Sequence, residues 1–332
     1  MVERLSDRLR EFLKTCEGRD VSLKYLRDEL KIDPNSPAWN GLRQYMGQLS
    51  NEKIVKPSGR NDGVYKVVRQ VKPVSVFGRE RRPPIVLCFP KDVDSGYELS
   101  FADDLIIREG DLILISGMSN YGKTALCINF AGENIHLKPV LMGNEYTTID
   151  DEPSPRFLNR LDAMDWVKWG DENGDNFTLL PVHADYAEHI VKDKINIIDW
   201  INIDTGEHYM IGSICESIKR ELGKGIAIIA IQKAEGAESG RGGQFTKDFS
   251  DVEILLDKFP ESPLGEVLLT IGKVKESKKR VSGRTFAYGI AQGVKIINFR
   301  EVIKCKDCFG KGWKVGKPCE TCDKSGYVNK DS

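Results

Sequence analysis

One segment constrains the fold of this chain more than any other, the octapeptide Gly117-Met118-Ser119-Asn120-Tyr121-Gly122-Lys123-Thr124. It fits the pattern G-x-x-x-x-G-K-S/T in full, and it lies between the apolar run DLILIS and the helical pattern TALCINFAGENI. A strand, a glycine-rich loop and a helix in this order bind phosphate, because the loop amides and the helix N-terminus surround the anion with positive charge. The segment therefore predicts an α/β domain in which Lys123 contacts the β- and γ-phosphates of ATP and the Thr124 hydroxyl holds Mg²⁺.

The rest of the central region also favours the α/β class. Residues 101–303 alternate helical segments with the strand-like runs DLILISG, KPVLMGNE, INIIDWINI, GIAIIAIQ and EVLLTIGKV. Runs that are apolar throughout indicate strands buried on both faces. We therefore predict a mostly parallel sheet that is covered by helices on both sides.

Two acidic residues are candidates for the chemistry that such a loop needs beside it. Asp199 ends the apolar run INIID and is expected to order the metal and its water. Trp200 follows it, so no second carboxylate is adjacent, and Glu145 at the end of VLMGNE is the candidate that polarises the attacking water. The alternative for Glu145 is a solvated acid at a strand end. The residues expected to contact ATP and Mg²⁺ are Gly117, Ser119, Asn120, Tyr121, Gly122, Lys123, Thr124, Ala125 and Asp199.

These motifs together resemble the RecA/DnaB superfamily of ATPases, which includes KaiC-like proteins. The resemblance covers residues 101–303 and implies a RecA-like P-loop NTPase core. It implies that Glu145 is the catalytic glutamate and Asp199 the metal-binding aspartate. It also implies that Gln232, at the end of IAIIAIQ, is a polar sensor that links the γ-phosphate to the loop that follows.

That following loop, AEGAESGRGGQFTKDFSD, is rich in glycine and polar residues. It resembles the loop that contacts single-stranded DNA in the superfamily. The resemblance makes Arg241 and Lys247 its cations, and the Phe245 ring is able to stack on a base. The alternative is an ordinary flexible connector. The next run, FSDVEILLD, resembles the DnaB-type strand that begins with an aspartate, here Asp251.

The strand LLTIGKVKES carries two lysines, Lys273 and Lys275, which are two residues apart and so point to one face. They resemble the paired basic residues that RecA and DnaB relatives insert into the neighbouring subunit's ATP site, where such residues stabilise transition-state charge. The lysine at the second position is more like RecA, since DnaB relatives usually carry arginine there. Arg280, Arg284 and a solvated edge are the alternatives. A role in trans requires a homo-oligomer, either a hexameric ring or a filament.

Eight cysteines fall into two classes. Four occur singly and are expected to be incidental thiols: Cys16, Cys88, Cys127 and Cys215. The other four form two C-x-x-C pairs with ten residues between them: Cys305, Cys308, Cys319 and Cys322. This spacing predicts one tetrahedral, structural Zn²⁺ site, and disulfides are the alternative that an intracellular chain disfavours. The pairs resemble the zinc repeats of DnaJ-type chaperones and small zinc ribbons, but with two repeats instead of four, so chaperone activity is not implied.

The first 70 residues predict a small domain of three helices followed by a hairpin. The third helix is expected to begin at Pro37, and the hairpin is KIVKP, SGRNDG and VYKVV. This pattern resembles a winged helix-turn-helix domain, with the third helix for recognition and Arg60 near the tip of the wing. The segment carries 14 Lys and Arg against 10 Asp and Glu. DNA or RNA contact and protein docking both remain open for it.

The composition excludes two classes of protein. With 49 Lys and Arg against 50 Asp and Glu, the net charge is −1, which excludes a globally basic nucleic-acid binder. The chain contains no apolar run of about 18 residues, so no membrane span is expected. The charged start MVERLSDRLREF does not read as a secretion signal, so a cytoplasmic protein is expected.

The expected organisation is a winged-helix-like domain (1–70), a linker (71–100), the ATPase core (101–303) and a zinc module (304–332). The prolines and the RERR run indicate the linker, and docking of that segment on a neighbouring subunit is the alternative. The expected function is a DNA-stimulated ATPase motor, similar to a replicative helicase, that acts on single-stranded DNA as an oligomer. The alternatives are a RecA-like recombinase filament and a nucleotide-switched DNA-binding regulator or loader.

Overall fold

The computed structural model describes residues 4–59, 63–69, 77, 82–201, 210–233, 240, 244–261 and 265–330, with the backbone alone at 244–246. The chain divides into two compact units, Met1–Arg81 and Arg82–Ser332. Among the helices that are described, none has the length and apolar character that crossing a membrane requires.

The smaller unit contains three helices and a three-stranded antiparallel sheet of order β1-β3-β2. Its helices are α1 (Leu5–Thr15), α2 (Leu23–Glu29) and α3 (Pro37–Asn51). Its strands are β1 (Asp20–Ser22), β2 (Val55–Pro57) and β3 (Val64–Val67). The expected hairpin is therefore present as β2 and β3, and β1 extends it because Val21 pairs with Tyr65. Leu9, Leu26, Leu42 and Met46 are fully buried and form the centre of the core.

The larger unit is built on a mixed sheet of ten strands in the order β17-β14-β13-β12-β11-β4-β10-β9-β5-β8. The strands of the unit are β4 (Leu112–Gly117), β5 (Val140–Met142), β6 (Gly170–Asp171), β7 (Gly174–Asp175), β8 (Thr178–Leu180), β9 (Ile195–Ile201), β10 (Ile226–Gln232), β11 (Val252–Lys258), β12 (Val267–Val274), β13 (Thr285–Ala291), β14 (Lys295–Lys304), β15 (Trp313–Lys314), β16 (Lys317–Pro318) and β17 (Tyr327–Asn329). Its helices are α4 (Lys123–Glu133), α5 (Pro155–Ala163), α6 (Met210–Glu221) and α7 (Gln244–Phe249). Strands β8, β5, β9, β10, β4 and β11 are parallel, and β12, β13, β14 and β17 are antiparallel.

Helices cover both faces of the sheet. In β4, Ile113 and Ile115 point into one core, which includes Phe130 of α4. Leu112 points into the other core, together with Ile218 of α6. Burial on both faces explains why these strands are apolar without alternation. The predicted α/β class with a large, mostly parallel central sheet is confirmed, and the antiparallel strands at one end make the sheet mixed.

The second half of the expected linker packs into the larger unit. Leu87, Phe89 and Leu99 are each at most 8% exposed and belong to the main core. The Asn134 side chain holds this segment by both its polar atoms. Its Oδ1 accepts the Cys88 amide hydrogen at 3.0 Å, and its Nδ2 donates to the Cys88 carbonyl at 2.7 Å. Residues 82–100 therefore contribute to the fold that carries the candidate site.

Candidate functional site

The glycine-rich loop joins β4 to α4 and bends sharply at two positions. Asn120 has a φ of 67° and Gly122 a φ of 82°, both in the left-handed region. The left-handed φ favours glycine at position 122, and a Cβ there would also lie 2.5 Å from Cδ1 of Ile290, whose side chain would have to move. No side chain caps the N-terminus of α4. Gly122, the N-cap residue, has no side chain that could accept the first amide hydrogens of α4.

Lys123 is the first residue of α4 and is only 7% exposed. Its Nζ donates hydrogen bonds to the carbonyl oxygens of Gly117, at 2.9 Å, and Met118, at 2.7 Å. Because an ammonium group is costly to bury, these contacts hold a positive charge inside the curve of the loop. The arrangement is suited to an anion that would enter the loop and accept from the same group.

An open pocket of about 460 Å³ lies beside the loop, and we refer to it as the loop pocket. Its lining includes eight of the residues predicted for ATP, Mg²⁺ or catalysis: Ser119, Asn120, Gly122, Lys123, Thr124, Ala125, Glu145 and Gln232. Three further predicted residues do not line the pocket but lie close to lining residues along the chain: Gly117, Tyr121 and Asp199. The lining also includes residues that were not predicted for the site: Arg156, Arg160, Trp200, Gly265, Val267, Ile290 and Gly293.

Asp199 is fully buried in β9, and both its carboxylate oxygens lack a hydrogen-bond partner of normal geometry among the described residues. Burial raises its pKa to about 6. The Thr124 hydroxyl and the Lys123 charge are close enough to lower the pKa, and Glu145 raises it. These influences place Asp199 beside the first residues of α4. Two orphaned carboxylate oxygens next to a hydroxyl form a donor set that fits a divalent cation with oxygen ligands.

Glu145 and Gln232 reach the loop pocket from the ends of β5 and β10, which lie on either side of β9. Gln232 is the last residue of β10 and stands opposite Gly117 in the parallel register. Glu145 was expected to end a strand, but β5 stops at Met142 and Glu145 lies in the turn that follows. The reason is the crossing at Gly143, whose φ is 134° and where a Cβ would lie 2.0 Å from a backbone oxygen of β9.

Arg156 and Arg160 lie one turn apart on α5 and line the loop pocket. Arg156 is exposed, whereas the Nη1 atom of Arg160 is buried without a hydrogen-bond partner among the described residues. Sequence analysis missed both, because arginines on a short amphipathic helix are typical of a solvated face. Their spacing of four residues and their position soon after Glu145 are the signals that could have found them.

Lys273 and Lys275 lie away from the loop pocket of their own chain. The neighbouring Val274 pairs with Val252 at the beginning of β11, whereas Gly117 pairs near the end of β11. Lys273 donates to the carbonyls of residues 247 and 248. Lys275 donates to Oδ1 of Asp251 at 2.6 Å. Both lysines are therefore engaged within the chain, at the opposite end of the strands from the loop.

Asp251, at the start of β11, organises the charges at that end of the sheet. Its carboxylate accepts the Leu112 amide hydrogen at 2.8 Å and pairs with Lys219 as well as with Lys275. Burial raises its pKa, but the hydrogen bonds from the two lysines and the amide outweigh this and give a net lowering. The predicted first residue of this strand thus has a structural role that the sequence alone does not indicate.

The remaining predicted basic residues are distributed as follows. Arg284 forms a paired contact with Glu301, at 3.0 and 2.7 Å, whereas Arg280 is exposed and makes no ion pair within the described ranges. Lys247 lies in α7 and is half-buried. Arg241 lies outside the described residues, and so does the side chain of Phe245. Arg60, predicted for the wing tip, also lies outside them.

The four paired cysteines come together at the end of β14. Their sulfurs all lie within 4.8 Å of one another, and all four residues are buried. Amide hydrogens point at two of the sulfurs, from Gly312 to Cys308 at 3.2 Å and from Gly326 to Cys322 at 3.3 Å. Such an arrangement fits the closed, four-sulfur geometry of a structural metal site.

The cysteine cluster is attached to the large sheet on both sides. Strand β14 enters it and β17 leaves it, and the two strands pair between residues 302–304 and 327–329. The predicted boundary between residues 303 and 304 therefore falls inside β14. A metal held here would fix the turn that returns the chain to the sheet edge.

Comparisons with known proteins add no assignment. No family model matches this chain, and no curated protein matches its sequence. The functional interpretation therefore depends on the residues around the loop pocket and the cysteine cluster.

Proposed function

We propose that this protein binds ATP with Mg²⁺ in the loop pocket and hydrolyses it. The observation that carries the proposal is a pocket lined by the glycine-rich loop and the buried Lys123 ammonium, with the buried Asp199 carboxylate next to a lining residue, Trp200. A fortuitous glycine turn does not account for a buried ammonium and a buried carboxylate beside it. Each of these charges is costly unless a ligand completes its surroundings.

The binding step uses groups that the loop already presents. Backbone amides of the loop and the uncapped start of α4 would surround the phosphates, and Lys123 would transfer its hydrogen bonds from carbonyl oxygens to phosphate oxygens. The Thr124 hydroxyl and the Asp199 carboxylate would hold Mg²⁺. When bound, this ion neutralises charge on the phosphate oxygens as the terminal phosphate is transferred.

The hydrolytic step is assigned to Glu145 and Gln232. Glu145 is half-buried on the rim of the loop pocket, where its carboxylate would orient a water molecule and accept its proton. Gln232 ends the strand next to the loop strand and precedes the segment 234–251. If the Gln232 side-chain amide contacts the terminal phosphate, the presence or loss of that phosphate would affect this segment, as the RecA/DnaB resemblance implies.

The same resemblance supports a motor that acts on single-stranded DNA as a homo-oligomer, in the manner of a replicative helicase. In this proposal Arg241, Phe245 and Lys247 contact the DNA. Lys273 and Lys275 would act at the loop pocket of a neighbouring subunit. This is compatible with the finding that neither lysine lines the loop pocket of its own chain. The smaller unit would bind nucleic acid or a protein partner through α3. The cysteine cluster would hold one structural Zn²⁺.

Two other functions use the same pocket. A recombinase-like filament would exchange strands, and a nucleotide-switched regulator or loader would hydrolyse ATP slowly whether or not DNA is present. The deciding experiment measures ATP hydrolysis with and without single-stranded DNA, together with light scattering for oligomer size. A motor is expected to hydrolyse faster with DNA and to form a ring or filament. A monomer whose rate ignores DNA would overturn the motor and favour the regulator.

A further inference from the structure

The Nη1 atom of Arg160 is buried without a hydrogen-bond partner among the described residues, and the proposed function does not use this side chain. Three other arginines of this unit are also partly buried within the described ranges. Each of them forms a paired contact with a glutamate, namely Arg108 with Glu276, Arg284 with Glu301 and Arg300 with Glu266. Arg160 has no such acid among the described residues, and its Nη1 is buried without an acceptor.

A guanidinium stays protonated at any pH that a folded protein tolerates, so its charge cannot be removed by titration. A buried N–H group without an acceptor costs free energy, and an anion that accepts from it removes this cost. Arg160 lines the same pocket as Lys123 and Thr124, so an anion bound in that pocket would lie near the Arg160 side chain. The planar fork of arginine matches two oxygens of one phosphate.

The helix holds this side chain in a fixed place. Phe157 and Leu161, on either side of Arg160 along α5, are buried in the main core, and the Phe157 ring packs 5.0 Å from that of Tyr146. The Ser154 hydroxyl caps the helix by accepting the Phe157 amide hydrogen at 3.2 Å. Arg160 is thus presented by a rigid element rather than by a flexible loop.

The charges around Arg160 indicate which end of a nucleotide it would meet. Arg160 lines the loop pocket together with Lys123, Thr124 and Glu145. These three residues are the ones assigned to the phosphates, the metal and the attacking water. A nucleotide bound there would therefore present its terminal phosphate, and not its base, to this group of residues.

We propose that Arg160 contacts the terminal phosphate of a nucleoside triphosphate from within the same chain and makes the pocket distinguish triphosphate from diphosphate. This inference depends on the proposed nucleotide site. Arg160 would provide a cation from the same chain, whereas the RecA/DnaB resemblance implies cations from a neighbouring subunit. A single chain would then recognise a triphosphate before any neighbouring subunit engages it.

The test measures the binding of a fluorescent diphosphate and of a non-hydrolysable triphosphate analogue, each with Mg²⁺, to the full chain and its variants. Arg160→Gln is expected to weaken the triphosphate analogue by about 10- to 100-fold, from the loss of a charge-assisted contact, and the diphosphate by less than about threefold. Arg160→Lys keeps the charge without the fork and is expected to lie between Arg160→Gln and the parent. Arg220→Gln removes an exposed arginine of α6 and is the matched control for charge.

The possible results separate the two proposals. If Arg160→Gln weakens both ligands equally, or neither, while the parent chain binds both, the role of Arg160 is wrong and the nucleotide site stands. If the parent chain binds neither ligand, the nucleotide site fails and the role of Arg160 fails with it. Thermal unfolding without ligand checks that the Arg160→Gln variant is folded, and removal of a buried N–H group without an acceptor is not expected to lower its stability.

Discussion

The ammonium group of Lys123 donates a hydrogen bond of 2.9 Å to the carbonyl oxygen of Gly117, the first residue of its own loop. The loop is therefore closed on itself by the residue that would bind phosphate. A phosphate that takes over this hydrogen bond releases the carbonyl without requiring the lysine to move far. In the proposed function, the glycine-rich loop is in this sense arranged for phosphate before the nucleotide binds.

Replacement of Asp199 by asparagine is expected to separate stability from activity. The rise of the Asp199 pKa from 3.8 to about 6 means that the ionised group destabilises the native state at neutral pH. The variant should therefore be more stable without nucleotide and metal, by about 1–3 kcal/mol, while Mg²⁺-dependent hydrolysis is lost. Chemical denaturation and a phosphate-release assay measure the two effects. A variant that is less stable and still active would contradict the assignment.

Replacement of Glu145 by glutamine is expected to leave ATP binding intact and to slow hydrolysis by about 100-fold or more, because the water loses its general base. Equilibrium binding and single-turnover hydrolysis give the two quantities separately. Glu152→Gln changes an exposed acid of the same connection and is the matched control. Normal turnover by Glu145→Gln would mean that another group activates the water.

Because of the buried Glu253 of β11, we expect the free energy of unfolding to change with pH. Glu253 is fully buried, its two oxygens lack a hydrogen-bond partner of normal geometry in the described part of the chain, and burial raises its pKa above 4.5. The nearby Lys247, Lys273 and the Gly240 amide only partly offset this. A raised carboxyl pKa means that the native state binds more protons than the unfolded state, so stability falls as the pH rises from about 4.5 through the folded pKa.

Glu253→Gln removes this titration. The variant should be more stable than the parent at neutral pH, and its advantage should shrink as the pH falls toward 4.5. The measurement is the free energy of unfolding of both proteins across that range. Glu172→Gln, at an exposed position, should show no such trend. A difference that is constant with pH would show that Glu253 is not the group responsible.

The cysteine cluster predicts about one zinc ion per purified chain by elemental analysis. Cys319→Ser should lose the metal and lower the thermal stability, because the return of the chain from β14 to β17 is no longer fixed. Cys88→Ser changes an isolated thiol and should keep the metal. A parent protein that is stably folded without bound metal would refute the proposed zinc site.

Local patterns predicted much of the larger unit, and long-range packing accounts for what they missed. The apolar run before the loop is β4, and Gln232 ends β10 as expected. The pairing of β17 with β14 was not predicted, because three residues carry no periodicity. Residues 71–100 were predicted as a linker because of their prolines and the RERR run, yet Leu87 and Phe89 are buried. Arg160 resembled a solvated charge, since the sequence does not show which helix face meets a pocket.

The most direct test of the central claim is the rate of ATP hydrolysis by the parent chain and by Lys123→Ala, with and without single-stranded DNA. Lys224→Ala removes an exposed lysine outside the loop pocket and is the matched control. The account predicts hydrolysis by the parent and the control, faster with DNA, and a loss of at least about 100-fold in Lys123→Ala. Hydrolysis at the parent rate by Lys123→Ala would contradict the assignment of the glycine-rich loop.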